Sequence, residues 1–258
     1  KEQIILLQNK KGFSRGGVQK IESILYKFFP KIRILRYDQN MISKKDEYYN
    51  ILNAFNAYRA DVLNGTQFLA KGLEFKNVSL IGMINSDIGL SIPDFRSEER
   101  IFQLIYQLIG RALHSDKNPE VIIQSYNTDN FYIKNACKQE LEKSYLNMLI
   151  ERKELYYPPY SKLIKILFVG KNEKQTVKKA QSFFNKLNQN KNIIILGPSP
   201  APIEYLNQSW RYQILIKCKK TYWQKFHDWI SMNIPIIEFE NQQKPVKIKI
   251  DVDTTSIL

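Results

Sequence analysis

Gln107 and Arg111 stand four residues apart in Gln107-Leu108-Ile109-Gly110-Arg111-Ala112, inside a segment whose apolar residues recur at helical steps. Residues at i and i+4 share a helix face, and a guanidinium can bridge two phosphate oxygens in a planar, bidentate fork. Upstream, the stretch Asn64-Gly65-Thr66-Gln67-Phe68-Leu69-Ala70-Lys71-Gly72-Leu73-Glu74-Phe75 follows a strand and precedes a turn. Thr66 and Lys71 there offer a hydroxyl and a cation, and Gly72 lets a ligand approach the backbone closely. Near the C-terminal end, Trp210-Arg211 sets a ring that can stack on a base beside a cation that can hold its phosphate. The basic run Lys217, Lys219, Lys220 and Lys225 suits a phosphate track. Each pattern has a plainer account. An arginine can close a helix C-terminus, Lys71-Gly72 can be a turn between strands, and a lysine run can be a solvated face. Asp94 and Arg96 suit a structural ion pair with Glu99 or Arg100. Tyr156, Tyr157, Tyr160, Tyr212 and Trp223 suit buried packing as well as base stacking.

The whole composition narrows the chemistry further. The chain has 258 residues, 43% apolar and 25% charged, enough for one large domain or two ordinary ones and unlike a disordered polymer. No apolar run approaches the roughly 18 residues of a membrane span, and no basic amphipathic helix stands out, so a membrane partner is not expected. No secretory signal is visible, and a first residue other than Met points to a processed or partial chain. Two cysteines, Cys137 and Cys218, exclude a disulfide framework and a four-cysteine zinc site; they fall on apolar faces and read as core residues in a reducing, intracellular setting. His114 and His227 are isolated and carry no metal-site pattern. The net charge is +14, with +5 over residues 1–150 and +9 over the shorter stretch 151–258, a surplus that favours a polyanion such as nucleic acid.

The elements that must position these residues fall into two groups. Strand-like runs at Ile4–Gln8, Ile32–Tyr37, Val62–Thr66, Val78–Ile84 and Val121–Tyr126 alternate with helical patterns at Gly17–Phe29, Asp46–Arg59 and Ser97–Leu113. A further helical pattern, in one or two pieces, covers Phe131–Leu155. Alternation of this kind predicts an α/β lobe with a mostly parallel sheet. Tyr156-Tyr157-Pro158-Pro159-Tyr160 breaks the pattern, dividing the chain at about 1–155 and 156–258. The second part reads β-α-β-β-α-β: Leu163–Val169, Glu173–Leu187, Ile193–Leu196 closed by Gly197-Pro198-Ser199-Pro200-Ala201-Pro202, Tyr212–Cys218, Tyr222–Met232 and Val246–Val252. It predicts a smaller α+β domain.

The segments around Thr66–Gly72 and Gln107–Arg111 resemble motifs V and VI of superfamily 2 helicases. In finer detail the chain resembles the primosomal protein N′ (PriA) family of replication-restart helicases, whose pattern is close to GTQ-x-x-AKG-x-x-F, D-x-GL-x-x-PDFR-x-x-ER and Q-x-x-GRAGR. Asp87, Gly89, Leu90, Pro93, Asp94, Phe95, Arg96, Glu99 and Arg100 stand in place. So do Tyr157-Pro158-Pro159-Tyr160, Leu196-Gly197-Pro198, Ala201-Pro202, Arg211-Tyr212-Gln213 and Asp251-Val252-Asp253, in collinear order over nearly the whole chain. The resemblance implies a second RecA-like helicase lobe over 1–155 and a C-terminal DNA-binding domain over 156–258. It implies ATP with Mg²⁺ held between this lobe and a first lobe, with Arg111 and Gln107 facing the transferred phosphoryl group and Gly72 close to the nucleotide. Thr66, Lys71, Trp210, Arg211, Lys217 and Lys219 then become DNA contacts. Branched or single-stranded DNA, other replication-restart proteins and single-stranded-DNA-binding protein are the implied partners, in a bacterial cytoplasm or nucleoid.

Three departures qualify that expectation. The second arginine of the family's motif VI is His114 here, preceded by Leu113, and a mostly neutral imidazole does not replace a permanent cation. The family's cysteine-rich insertion, which binds two zinc ions, is replaced by Ser14-Arg15-Gly16-Gly17, so zinc is expected of the family but its ligands are absent. No G-x-x-x-x-G-K-[ST] phosphate loop occurs in the 258 residues. The first lobe would lie before Lys1, and this chain alone is expected not to hydrolyse ATP. A degenerate, non-catalytic branched-DNA-binding protein is the alternative.

Overall fold

A computed structural model describes residues 3–8, 17–37, 45–66, 77–113, 117–187, 191–232 and 245–254. The chain divides into two compact units, one of Lys1–Ile92 with Arg96–Tyr145, the other of Pro93–Phe95 with Leu146–Leu258.

The first unit is built on five parallel strands, β1 (Gln3–Gln8), β2 (Ile34–Tyr37), β3 (Val62–Thr66), β4 (Val78–Ile84) and β5 (Glu120–Ile123), in the order β2-β3-β1-β4-β5. Parallel neighbours need return connections. Helices α1 (Gly17–Phe28) and α2 (Lys45–Asn56) serve the β1–β2 and β2–β3 crossings, and α3 (Ser97–Leu113) serves β4–β5. Since such crossovers are right-handed, α1 and α3, leading in opposite directions from the centre, lie on opposite faces. All five residues of β3 are buried, as a strand covered on both faces requires. Ile5, Leu63, Ile81 and Met83 from the sheet and Ile101, Phe102, Ile105 and Leu108 from α3 form its core.

The predicted helix over Phe131–Leu155 is two helices, α4 (Phe131–Cys137) and α5 (Leu141–Glu154). They are broken at Gln139, whose φ of 58° no helix residue adopts. The amide nitrogen Nε2 of Gln139 donates to the carbonyls of Tyr106 (3.2 Å) and Ala136 (3.1 Å), which fixes that corner against α3.

The second unit carries an antiparallel sheet of β6 (Ser161–Gly170), β7 (Ile193–Leu206), β8 (Ser209–Lys219) and β9 (Val246–Val252), in the order β7-β8-β6-β9. Helix α6 (Glu173–Lys186) and a further helix, α7, over 223–232 complete the β-α-β-β-α-β order. Ile164, Ile166, Phe168, Tyr212, Ile214, Ile216, Cys218, Val246 and Ile248 point to the helices, packing on Ala180, Phe226 and Ile230. One element differs from the sequence reading. β7 does not close at Leu196 but continues to Leu206, through shifts in register between Leu196 and Ser199 and between Pro200 and Tyr205. It is an edge strand, where prolines cost no ladder hydrogen bond to a second neighbour. Gly197 turns with φ 107°, where an added Cβ would meet the Gln213 carbonyl oxygen at 2.7 Å.

At the end of β6, the space a Cβ on Gly170 would fill is already taken by Thr176 Oγ1, with Val246 Cγ2 at 3.0 Å. The Thr176 hydroxyl is itself held by donation to the Asn172 carbonyl at 2.7 Å. Gly170→Ala is expected to lower unfolding stability by about 1–3 kcal/mol, read as a reduced urea midpoint by tryptophan fluorescence; an unchanged midpoint would refute this tight contact.

Candidate functional site

The strongest sequence candidates lie on α3. The helix begins with Glu98 and Glu99 in its first turn, favourable against the positive end of its dipole, and Ser97 Oγ donates to the Ile92 carbonyl at 2.7 Å. Its apolar stripe buries Ile101, Phe102, Leu104, Ile105, Leu108 and Ala112. That orientation leaves Gln107 exposed and Arg111 half-buried, one turn apart on the same side. Gly110 lies between them with only Gln139 Oε1, at 3.8 Å, near the place of a Cβ. Leu113, at the departure from the motif, is 63% exposed; His114 lies outside the described residues.

All strands are parallel, so Thr66, level with Gln8 and through it with Ile84, marks the edge where strands end. Helix α3, about 25 Å long at 1.5 Å per residue, lies on the connection from β4 to β5, and Arg111 is in its last turn. Thr66 itself is buried, and its hydroxyl has no hydrogen-bond partner among the described residues. Lys71 and Gly72 lie outside the described residues.

At the strand-end edge a second set of residues is tied together by Asp87, which follows β4. Its carboxylate accepts from Ser125 Oγ at 2.8 Å and from the backbone N–H groups of Tyr126 (2.7 Å) and Asn127 (3.1 Å). These bonds hold Ser125 and Tyr126 out of the strand predicted over Val121–Tyr126, and β5 ends at Ile123. Partial burial on its own raises the Asp87 pKa; the Tyr126, Ser125 and Asn127 hydrogen bonds outweigh it and hold the group below the ordinary aspartate value.

In the second unit the expected DNA residues do not form one site. Successive residues on a strand project to opposite faces. Trp210 lies on the helix side with Tyr205, their rings 5.1 Å apart, while Arg211 lies on the other face and donates from Nη1 to the Ile203 carbonyl at 3.3 Å. Lys217, expected on a solvated phosphate track, is only 7% exposed. Its ammonium donates to the Leu155 carbonyl at 2.7 Å and sits 3.6 Å from the centroid of the Tyr157 ring, and burial lowers its pKa. Tyr157 stacks in turn on Phe95 (4.6 Å, 5° between planes), and Phe95 lies under Arg152 at 5.2 Å. Leu163 and Leu215 pack against the two rings. Lys217 is thus the inner end of a cation–ring–ring–cation stack within this unit. Lys219 is half-exposed, 5.8 Å above the Tyr156 ring.

Two basic residues that sequence reasoning passed over share the face of Arg211. The alternation Val246-Lys247-Ile248-Lys249-Ile250-Asp251 puts Lys247 and Lys249 level with Val169 and Leu167 on β6, opposite the buried Val246 and Ile248. That period-two pattern was the available signal.

Zinc does not fit the residues present. Among the described residues no three His, Cys, Asp or Glu side chains group to hold a metal ion. Cys218 is buried in the apolar core, which pushes its thiol up to about 11, far from a ligating thiolate. Cys137, read as a core residue, is exposed instead. No helix among the described residues is long and apolar enough to cross a membrane.

Residues 153–255 match the family model of the primosomal protein N C-terminal domain. Replication restart protein PriA of Borreliella burgdorferi is 40% identical over 205 residues, 79% of this chain and 31% of that protein. Its Bacillus subtilis counterpart is 36% identical over 243 residues, 93% of this chain and 30% of that protein. The Pyrococcus furiosus Hef helicase domain overlaps 57% of this chain and 24% of that chain at 23% identity, with a TM-score of 0.33, too low to carry an argument. The class is therefore a parallel α/β lobe followed by an antiparallel α+β domain that matches the primosomal protein N C-terminal domain. More particularly, the chain is a relative of replication restart protein PriA, and it spans about 30% of the length of the curated relatives it matches.

Two measurements check these assignments. Because the Asp87 pKa is depressed, its contribution to stability is complete above the ordinary aspartate range and disappears as pH falls through the folded value. Chemical denaturation from pH 6 to pH 3 should show stability declining below about pH 4. Asp87→Asn should flatten that decline and cost about 1–3 kcal/mol at pH 7. Lys217→Ala should cost about 2 kcal/mol through the lost ring contact and the stranded Leu155 carbonyl, read as a lower urea midpoint.

Proposed function

We propose that this chain supplies the second RecA-like lobe, within about 1–155, and the C-terminal DNA-binding domain, within about 156–258, of an ATP-dependent 3′-to-5′ DNA helicase that recognises branched DNA at stalled forks and initiates primosome assembly. What carries the reading is the placement of Gln107 and Arg111 on one side of α3, in a parallel lobe continuous with a primosomal C-terminal domain. ATP with Mg²⁺ would be held by a first lobe bearing a phosphate loop, which these 258 residues lack. Arg111 would offer its fork to the transferred phosphoryl group and neutralise charge as the bond to the leaving oxygen lengthens; Gln107 would orient the attacking water. Thr66, buried and with no hydroxyl partner among the described residues, would meet the DNA backbone, as would Lys71, and Gly72 would let the nucleotide approach the backbone. Single-stranded-DNA-binding protein and other restart proteins are the expected protein partners, and the bacterial cytoplasm or nucleoid the expected setting.

The departure at Leu113-His114 favours a second reading, a non-catalytic branched-DNA-binding protein. DNA-stimulated ATPase measured on this chain joined to a first lobe separates the two. The helicase reading expects turnover, with Arg111→Ala lowering kcat by about 10³-fold or more and leaving DNA affinity unchanged. Absent turnover, with branched-DNA binding indifferent to ATP, would establish the second reading.

A further inference from the structure

The four-stranded sheet of the second unit has one face covered by α6 and α7 and another whose strand positions carry no aromatic residue. On that second face the register sets Lys247, Val169 and Arg211 in one row, Lys249, Leu167 and Gln213 in the next, and Asp251, Lys165 and Leu215 in the third. Lys247 and Lys249 are exposed on the edge strand β9, and Leu167, Val169, Gln213 and Arg211 are half-exposed between them. The two lysines are therefore about 7 Å apart along a rigid strand. Asp251 is the one carboxylate in these three rows. The Lys165 ammonium is destabilised by burial and by Arg211, and is favoured by Asp251 and by Asp94 of the Pro93–Phe95 segment. Like charges held this close cost stability, a cost that a bound polyanion would offset.

We infer that this face, with Lys247, Lys249 and Arg211 as its contacts, is a track for the sugar-phosphate backbone of duplex DNA. The inference rests on the DNA-binding reading above and gives it a surface and a substrate form. Duplex is the occupant because the rows of Lys247 and Lys249 offer cations without rings; the rings on this face, Phe95 and Tyr157, lie over Leu215 and Leu163 and are engaged by Arg152 and Lys217. Base stacking, the main gain from a single strand, is not available here, whereas a duplex presents one charge per roughly 1.7 Å of axis. Binding there is indifferent to base sequence.

The test uses the 258-residue chain and fluorescence anisotropy with a 20-base-pair duplex and an oligo-dT of the same length, across salt concentrations. The variant Lys247→Glu/Lys249→Glu is compared with Lys174→Glu/Lys178→Glu, which makes the same change of charge at exposed positions of α6, on the opposite side of the sheet. Circular dichroism and the urea midpoint confirm that each is folded. We expect the parent chain to bind duplex more tightly than oligo-dT. We expect the β9 variant to lose more than 10-fold in duplex affinity, with the log–log salt slope shallower by about 2, while the α6 variant changes less than 3-fold. Equal losses in the two variants, no loss in the β9 variant, or tighter binding of oligo-dT by the parent chain would each overturn the proposal and leave the DNA-binding reading intact. Lysines that only guard the edge strand against adding another strand give the second of these results. A parent chain that binds neither oligonucleotide would remove the DNA-binding reading itself.

Discussion

A strand cannot aim two successive side chains at one target, and that constraint orders the second unit of this protein. With Ile164, Ile166, Phe168 and with Tyr212, Ile214, Ile216 committed to the helices, every residue between them is committed to the other side. The division parts Trp210 from Arg211, buries Lys217 under Tyr157, and gathers Arg211, Lys247 and Lys249 from strands remote in sequence. The apolar core thus decides which cations can act together. Burial of an aliphatic side chain is worth roughly 1.5–3 kcal/mol, so a slip of one residue that exchanged the faces would forfeit several such burials at once.

In the first unit the corresponding constraint is parallel pairing. Each strand must be entered from the same edge, so a helix has to bring the chain back, and α3 does so between β4 and β5. Gln107 and Arg111 ride on that return helix, and Thr66 ends β3 level with Gln8. The strand-end edge is tied together by Asp87, beside the bonds of Asn85 and Ser86 to Gln124. One carboxylate collects the donors of three consecutive residues and fixes the loop after β5 beside the loop after β4.

Much of this was legible in the residue pattern. Val62–Thr66, Val78–Ile84, Ser97–Leu113 and Val246–Val252 have the predicted bounds, since their periodicity and their core contacts agree. The errors arose where a distant partner overrode a local signal. Prolines and a glycine in Gly197–Pro202 read as the end of a strand, yet an edge position with one neighbour accepts them. Ser125 and Tyr126 read as strand until Asp87, nearly 40 residues away, is seen to claim them. Lys217 in a lysine-rich run read as solvated, and only the fold brings the Leu155 carbonyl and the Tyr157 ring to it. Gln107 and Arg111 were accessible from spacing alone, because i and i+4 on an amphipathic helix share a side irrespective of tertiary context.

Phe95 has a consequence for how the protein can be dissected. It comes from a tripeptide embedded between two stretches of the first unit, yet its ring completes the second unit's stack with Tyr157, over Leu163 and Leu215. A piece cut at the matched boundary, residues 153–255, would therefore keep Tyr157 over the leucine pair but lose the phenyl ring stacked on it. Minimal versions of the C-terminal domain would need a substitute for that ring, supplied by a tethered peptide or by a polar replacement at Leu163 and Leu215.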